Sequence, residues 1–248
     1  MEHSALDRLL APGGITPVYQ PIYIVGNGPP RMYGFECLSR GPRGTNFESP
    51  GVLFDYVRLK RQEIVVDRAC IAVALRQLPR LDGEARISIN VHASTLGRDA
   101  SFTDFLATTC RDTNISPSLV TVEIVEHAPP WDNEAFQRAL ASLRRLGASI
   151  ALDDVGLGQS NFKMLLDASP EFLKLDRYFV DGCHADAKRR AVIGSIEELA
   201  RRFGAQVIAE GVETEEDLQT VRAIGVTLVQ GFLFSEPVPA SELALTFR

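Results

Sequence analysis

The chain of 248 residues lacks long apolar runs. Nothing in it approaches the roughly 18 uninterrupted apolar residues that a membrane span needs, and its opening, MEHSALDRLLAPGG, lacks the basic start and apolar core of a signal peptide. No membrane insertion and a soluble, cytoplasmic location are expected. Cysteine is scarce: Cys37, Cys70, Cys110 and Cys183 are scattered, with no C-x-x-C pair to suggest zinc or redox chemistry, and buried reduced thiols are expected. Positive charge is outweighed, 26 Lys+Arg against 32 Asp+Glu for a formal net charge of −6, which argues against polymeric nucleic acid as a partner. The basic clusters Arg144-Arg145, Lys188-Arg189-Arg190 and Arg201-Arg202 fall on helical patterns and read as solvated faces. No linker, composition shift or low-complexity segment divides the chain. What is present is ordinary globular usage, 45% hydrophobic and 23% charged, in a length that suits one closed α/β barrel.

The first element reads as a hairpin, because VYQPIYIV alternates, Asn27-Gly28 signals a tight turn and RMYGFECLSR follows. A loop rich in Gly and Pro, RGPRGTNFESPG, leads to a helix over residues 62–78, whose apolar positions recur at three- and four-residue steps. Short apolar runs then follow at RISIN (86–90), LVTVE (119–123), SIALDD (149–154), EFLK (171–174), QVIAE (206–210) and TLVQ (227–230). Helical patterns lie between most of them. One carries Phe136, Ala139, Leu140, Leu143 and Leu146 and stops at Gly147; another carries Val192, Ile196, Leu199, Ala200 and Phe203 and stops at Gly204. Thr214 with Asp217 starts a third, which Gly225 ends. Continuous apolar strands separated by helices imply a parallel sheet covered on its outer face.

Each run ends in a polar or charged residue: Glu36, Asn90, Glu123, Asp153 with Asp154, Lys174, Glu210 and Gln230. In a parallel barrel the C-terminal strand ends share one mouth, where barrel enzymes keep their chemistry. Polar strand ends at a solvated surface would be a plainer account, but they should show mixed charge, whereas this set holds five carboxylates, one Asn, one Gln and one Lys. Crowded carboxylates stay ionised only with positive charge among them. All-oxygen ligation suits Mg²⁺ or Mn²⁺, and adjacent Asp153-Asp154 would let one carboxylate bridge two ions while the other binds one. Two such ions clamp the attacking and leaving oxygens of a phosphodiester. Lys174 would orient the attacking water or stabilise charge in the transition state; the rival role, a Schiff-base lysine, needs an apolar pocket to depress its pKa.

From about Val18 to Pro237 the motifs resemble, in order, those of the EAL phosphodiesterases, which hydrolyse the bacterial second messenger cyclic di-GMP. YQPI holds Gln20; GFECLSR resembles the signature E-x-L-x-R with Glu36, Leu38 and Arg40; SINV supplies Asn90; VEIVE supplies Glu123 and Glu126. LDDVGLGQSNF resembles the family's Asp-Asp loop, FLKLD carries Lys174 and Asp176, AEGVET carries Glu210 and Glu213, and QGFLFSEP carries Gln230. The resemblance implies a single domain over residues 1–248: a TIM-like (β/α)8 barrel whose first strand runs antiparallel to the rest, in a protein that forms a homodimer. It implies Glu36, Asn90, Glu123 and Asp153 as ligands of one metal ion, and Asp153, Asp154 and Glu210 around a second. Glu210 would be the general base, and Lys174 the water-orienting lysine. Gln20, Leu38, Arg40, Asp176, Glu213 and Gln230 would shape the nucleotide pocket, and Glu126 would steady the Asp-Asp loop. The implied activity is metal-dependent hydrolysis of cyclic di-GMP to linear 5'-pGpG; a receptor or interaction module that keeps the fold without turnover is the alternative.

The sequence departs from the family pattern at several positions. Cys37 replaces the signature's Ala, a small change expected to be neutral. Val155 stands where Phe is usual and Asn161 where Ser is usual, which should weaken packing within the Asp-Asp loop. His92 and His127 occupy small-hydroxyl positions, where a hydrogen-bonded neighbour is expected rather than a ligand.

Overall fold

The computed structural model describes residues 4–79, 85–125, 133–157 and 162–246. Among these, eight strands close into a barrel in sequence order. They are β1 (Thr16–Ile24), β2 (Arg31–Arg40), β3 (Arg86–His92), β4 (Val120–Val125), β5 (Ser149–Val155), β6 (Phe172–Leu175), β7 (Gln206–Ala209) and β8 (Leu228–Val229). β1 pairs antiparallel with both β2 and β8, and every other neighbouring pair is parallel. The architecture is therefore the expected α/β TIM-like barrel with its first strand reversed. The hairpin is present, but its connection is a six-residue loop over residues 25–30 rather than a tight turn at Asn27-Gly28. Val25 donates its N–H to Thr227 at 2.8 Å, on the β8 side, so the chain leaves β2 before the turn. Pro29 and Pro30 offer no N–H with which to extend the ladder.

The helices are α1 (Ala5–Leu10), α2 (Pro50–Lys60), α3 (Glu63–Gln77), α4 (Ala93–Arg98), α5 (Phe102–Thr113) and α6 (Asn133–Leu146), then α7 (Phe162–Ala168), α8 (Arg177–Val180), α9 (Ala187–Phe203), α10 (Glu215–Ile224) and α11 (Ala240–Thr246). α3, α6, α9 and α10 match the periodic segments, and Thr214 caps α10 by accepting the Asp217 N–H at 3.1 Å. α2 falls partly in the segment that reads as a loop. Its Pro50 suits the first turn of a helix, where no N–H is needed, and Leu53 and Val57 one turn apart are fully buried. No helix among the described residues is long and apolar enough to cross a membrane.

Besides a cluster that seats α1 and α2 through Leu9, Leu53 and Val57, two apolar regions organise the barrel. The larger lies between sheet and helices and includes Phe102, Phe136, Val122 and Ile193. The smaller fills the barrel's interior with Ile22, Ala151, Phe172, Ile208 and Leu228. Because alternate residues of a barrel strand face inward, the next inward residue toward the mouth lies two positions along. That step reaches Asp153, Lys174, Glu210 and Gln230 on the parallel strands and, on reversed β1, steps back from Ile22 to Gln20. Register adds the rest: Gln20 pairs with Glu36, Glu36 with Ser88, and Asn90 with Glu123. One polar layer thus lies directly on an apolar floor.

All four cysteines are buried and free. Burial pushes the thiols of Cys70 and Cys183 up to about 12 and that of Cys110 up to about 11. It raises Cys37 as well, with the Glu36 and Glu123 charges adding to the effect.

Candidate active site

Lys174 is at the centre of the polar layer, with only 1% of its surface exposed. Its Nζ lies 2.7 Å from Glu210, 2.8 Å from Glu123, 3.1 Å from Glu36 and 3.2 Å from Asp153, four carboxylates delivered by β7, β4, β2 and β5. Burial works against its charge, yet Asp153, Glu123, Glu210 and Glu36 together outweigh burial and hold the ammonium protonated well above the usual lysine range. A Schiff-base nucleophile needs the opposite shift, so this geometry disfavours that role. Glu36 also resists burial and titrates below the usual range, because Lys174 faces it and Asn90 and Gln230 donate to it at 2.7 and 3.0 Å. Glu123 is pushed up to about 8 by burial and by Glu36, with Lys174 opposing and Asp153 adding. Glu210 is raised by burial and, against Lys174, by Asp153 and Glu36.

A plain strand cannot send two consecutive side chains to one face. Asp153 and Asp154 are nevertheless brought together, because β5 carries a bulge there: Leu152 pairs with Leu173 and Val155 with Leu175, leaving two residues of β5 opposite Lys174. Asp154 adopts a left-handed backbone with φ 51°, a conformation that Asp tolerates better than most residues. One oxygen from each of Asp153, Asp154 and Glu210 lies within 4.8 Å of the others.

The donor set fits divalent cations. Asn90 Oδ1 and Glu123 Oε1 are buried with no hydrogen-bond donor, an arrangement that costs free energy unless something positive satisfies it. Glu36, Asn90, Glu123 and Asp153 offer one all-oxygen group, and Asp153, Asp154 and Glu210 a second, of the kind hard Mg²⁺ or Mn²⁺ prefers.

Two cavities of about 280 Å³ each flank this layer and share Glu36, Leu38 and Asp153 in their walls. The first is bounded by Gln20, Gln230, Arg177, Glu213 and Phe232. Gln230 donates to Gln20 at 2.9 Å, and Gln20 in turn donates to the Ser235 carbonyl at 3.2 Å. The second opens toward α2 and α3 and is bounded by Arg40, Phe54, Arg58, Asn90, His92 and Asp154. Sequence reasoning missed Arg177, Phe232, Phe54 and Arg58; the last two lie on α2, whose buried Leu53 and Val57 were the available signal.

Three expected residues differ from their simple reading. Glu36 and Asn90 are not strand ends, because β2 continues to Arg40 and β3 to His92. Asp176 is in neither cavity wall; one oxygen of its carboxylate accepts the Tyr178 N–H at 2.6 Å and caps α8. His92 is the hydrogen-bonded neighbour that was expected, with Asp67 accepting its N–H at 3.0 Å and facing its Nδ1 at 2.8 Å. Val155 is half-buried against the outer core. Glu126, His127 and Asn161 lie outside the described residues.

A family model described as "EAL domain" matches residues 3–237. Cyclic di-GMP phosphodiesterase NbdA of Pseudomonas aeruginosa is 33% identical over 236 residues, which is 91% of this chain and 29% of that protein. The chain spans about a third of the length of the curated relatives it matches first. Among solved structures, the PaMucR phosphodiesterase in complex with c-di-GMP superimposes with a TM-score of 0.81 at 26% identity, covering 96% of this chain and 97% of that one. The manganese/cy-diGMP complex of Klebsiella pneumoniae BlrP1 gives 0.79 at 28% identity, covering 91% and 56%. Together with the reversed-strand barrel, these matches make the chain a member of the EAL domain, cyclic di-GMP phosphodiesterase family.

Proposed function

We propose that this chain hydrolyses cyclic di-GMP to linear 5'-pGpG with the help of two divalent cations, Mg²⁺ or Mn²⁺. The observation that carries this reading is the polar layer itself: Lys174 within 3.2 Å of four carboxylates, with Asn90 and Glu123 oxygens that lack donors. Glu36, Asn90, Glu123 and Asp153 would hold one cation, and Asp153, Asp154 and Glu210 the other. When bound, the pair supplies Lewis acidity and a water of lowered pKa at the phosphorus.

The residues of the chain do the remaining work. One P–O bond to a ribose 3'-oxygen breaks, a water oxygen joins the phosphorus, and the leaving oxygen takes up a proton. Glu210, at the edge of the layer, accepts the proton that the attacking water loses. Lys174, held protonated by its four neighbours, donates hydrogen bonds to the charge that develops on phosphate oxygens. Gln20 and Gln230 form the floor of one cavity, and Arg40 at the rim of the other suits phosphate or stacking on a base. Two cavities that meet at one charged layer match a ligand with two bases joined by a phosphate ring. Leu38, shared by both, would separate the two halves.

The test is incubation with cyclic di-GMP and Mg²⁺ or Mn²⁺, with products resolved by chromatography. Linear pGpG that depends on the cation supports the reading. Tight nucleotide binding with no product would instead make the chain a receptor.

A further inference from the structure

The shortest helix of the barrel, α8, touches both of the segments that carry the Asp153, Asp154 and Glu210 group. It starts directly after β6, two residues beyond Leu175, and is pinned at each end. Asp176 caps its start, Asp181 donates its N–H to the Arg177 carbonyl at 2.9 Å, and Val180 is fully buried. Tyr178 points outward, where Arg189 of α9 covers its ring at 5.2 Å.

The two remaining side chains of α8 press on glycines. Gly156, two residues after Asp154, has φ +98°, and a β-carbon there would lie 2.8 Å from Phe179 Cε2. Gly211, directly after Glu210, has φ +66°, and a β-carbon there would lie 2.4 Å from Arg177 Cγ and 2.5 Å from its Cβ. Neither glycine leaves space for a side chain, so the ring of Phe179 and the stem of Arg177 lie against main chain itself. Beyond Gly211, the Arg177 guanidinium reaches Glu213 at 2.9 Å. Packed contacts of this kind transmit displacement rather than absorb it. A shift of either side chain therefore moves the backbone next to a carboxylate.

We propose that Phe179 and Arg177 are positioning residues, which hold the Asp153-Asp154 segment and Glu210 at the mutual spacing that a divalent cation requires. This rests on the two-cation reading above and adds to it what sets the second group's geometry. α8 follows directly on β6, whose Leu175 pairs with Val155 and accepts the Glu210 N–H at 3.0 Å, and the side chains of α8 extend that tie to the glycine beyond each acidic segment. Residues that orient metal-binding groups from outside typically matter by roughly ten- to hundredfold in metal affinity.

The experiment is titration of the metal-free full chain with Mn²⁺, read by calorimetry and by the electron paramagnetic resonance of free Mn²⁺, beside a thermal melt for each variant. The parent is expected to bind two ions. Phe179→Ala should weaken the ion held by Asp153, Asp154 and Glu210 by about ten- to hundredfold, and the other, which shares only Asp153 with it, by less. Arg177→Ala should weaken the same ion, whereas Arg177→Lys, which keeps the stem over Gly211, should retain the parent's affinity. If Phe179→Ala does not fold, Phe179→Leu, which keeps apolar volume but removes the ring edge facing Gly156, takes its place with the same expected direction. Leu106→Ala, a cavity in the buried face of α5, is the control for general loosening and should lower the melting temperature without weakening either ion. Unchanged Mn²⁺ affinity in Phe179→Ala, or equal weakening in Leu106→Ala, would overturn the positioning role. A parent chain that binds fewer than two ions would overturn the two-cation reading itself.

Discussion

Replacing Lys174 by Met keeps most of the side chain's volume and removes the one charge that faces Glu36, Glu123, Asp153 and Glu210 together. In the metal-free protein this leaves buried carboxylates without their cation. Breaking a buried ion pair by removing one partner costs about 3–5 kcal/mol. For a domain of this size each kcal/mol corresponds to roughly 2–4 °C, so the melting temperature in EDTA at pH 8 should fall by about 6–20 °C. Saturating Mn²⁺ replaces the missing positive charge, so it should raise the variant's melting temperature more than the parent's. Catalysis separates from stability in the same variant. In the proposed reaction Lys174 acts on charge that develops in the transition state, so the single-turnover rate with Mn²⁺ should drop by several powers of ten while nucleotide affinity changes little. Melts followed by circular dichroism, with and without EDTA, and single-turnover quench experiments provide both readouts. A variant as stable as the parent in EDTA would refute the claim that Lys174 neutralises the layer. A loss confined to affinity would move it from the chemical step to the pocket wall.

The metal-free parent should lose stability as pH rises from about 4.5 to about 8. In that window folded Glu123, pushed up to about 8, and raised Glu210 hold protons that the unfolded chain has released. Glu36, which is lowered, contributes stability that is lost only at more acidic pH, and bound Mn²⁺ should flatten the slope seen in melts across this range. Ca²⁺ should support nucleotide binding but little turnover, because its larger, looser coordination disturbs a two-ion geometry; product formation with Ca²⁺ at the Mn²⁺ rate would count against that geometry. Asp153→Asn should abolish pGpG formation more completely than Gln230→Ala, since Asp153 belongs to both proposed oxygen groups, whereas Gln230 lines a cavity and reaches that layer only by donating to Glu36. Equal losses in a product assay would remove Asp153 from its bridging place.

Much of this site was legible as a rhythm of apolar runs ending in acids, amides and one lysine. The signal was strong because the barrel's interior is apolar up to a definite level and polar above it, as Phe172 to Lys174 and Ile208 to Glu210 illustrate. It misplaced the strand ends at Glu36 and Asn90, because the residues that follow them, such as Leu38 and Val91, continue the pairing or the packing. Backbone devices left little trace. Nothing in SIALDD announces a bulge, since hydrophobic alternation is lost whether or not the ladder slips. The Asp of FLKLD also caps a helix through the Tyr178 N–H, a task that its motif does not announce. The role of Gly211 depends on Arg177, which is 34 positions earlier in the chain.

The bulge in β5 also settles a matter of counting. Only alternate residues of a barrel strand face inward, and each of the eight strands already directs one such side chain to the mouth: Gln20, Glu36, Asn90, Glu123, Asp153, Lys174, Glu210 and Gln230. Asp154 is a ninth. It exists only because one extra residue was inserted where the pairing skips from Leu152 to Val155. Shortening β5 by that residue would relieve a left-handed backbone that typically costs on the order of 1–3 kcal/mol, and would leave the other eight side chains on an uninterrupted sheet. The proposed second ion and regularity of the barrel are therefore in direct opposition at a single position. Selection for a more stable chain and selection for a two-ion chain would pull residue 154 in opposite directions.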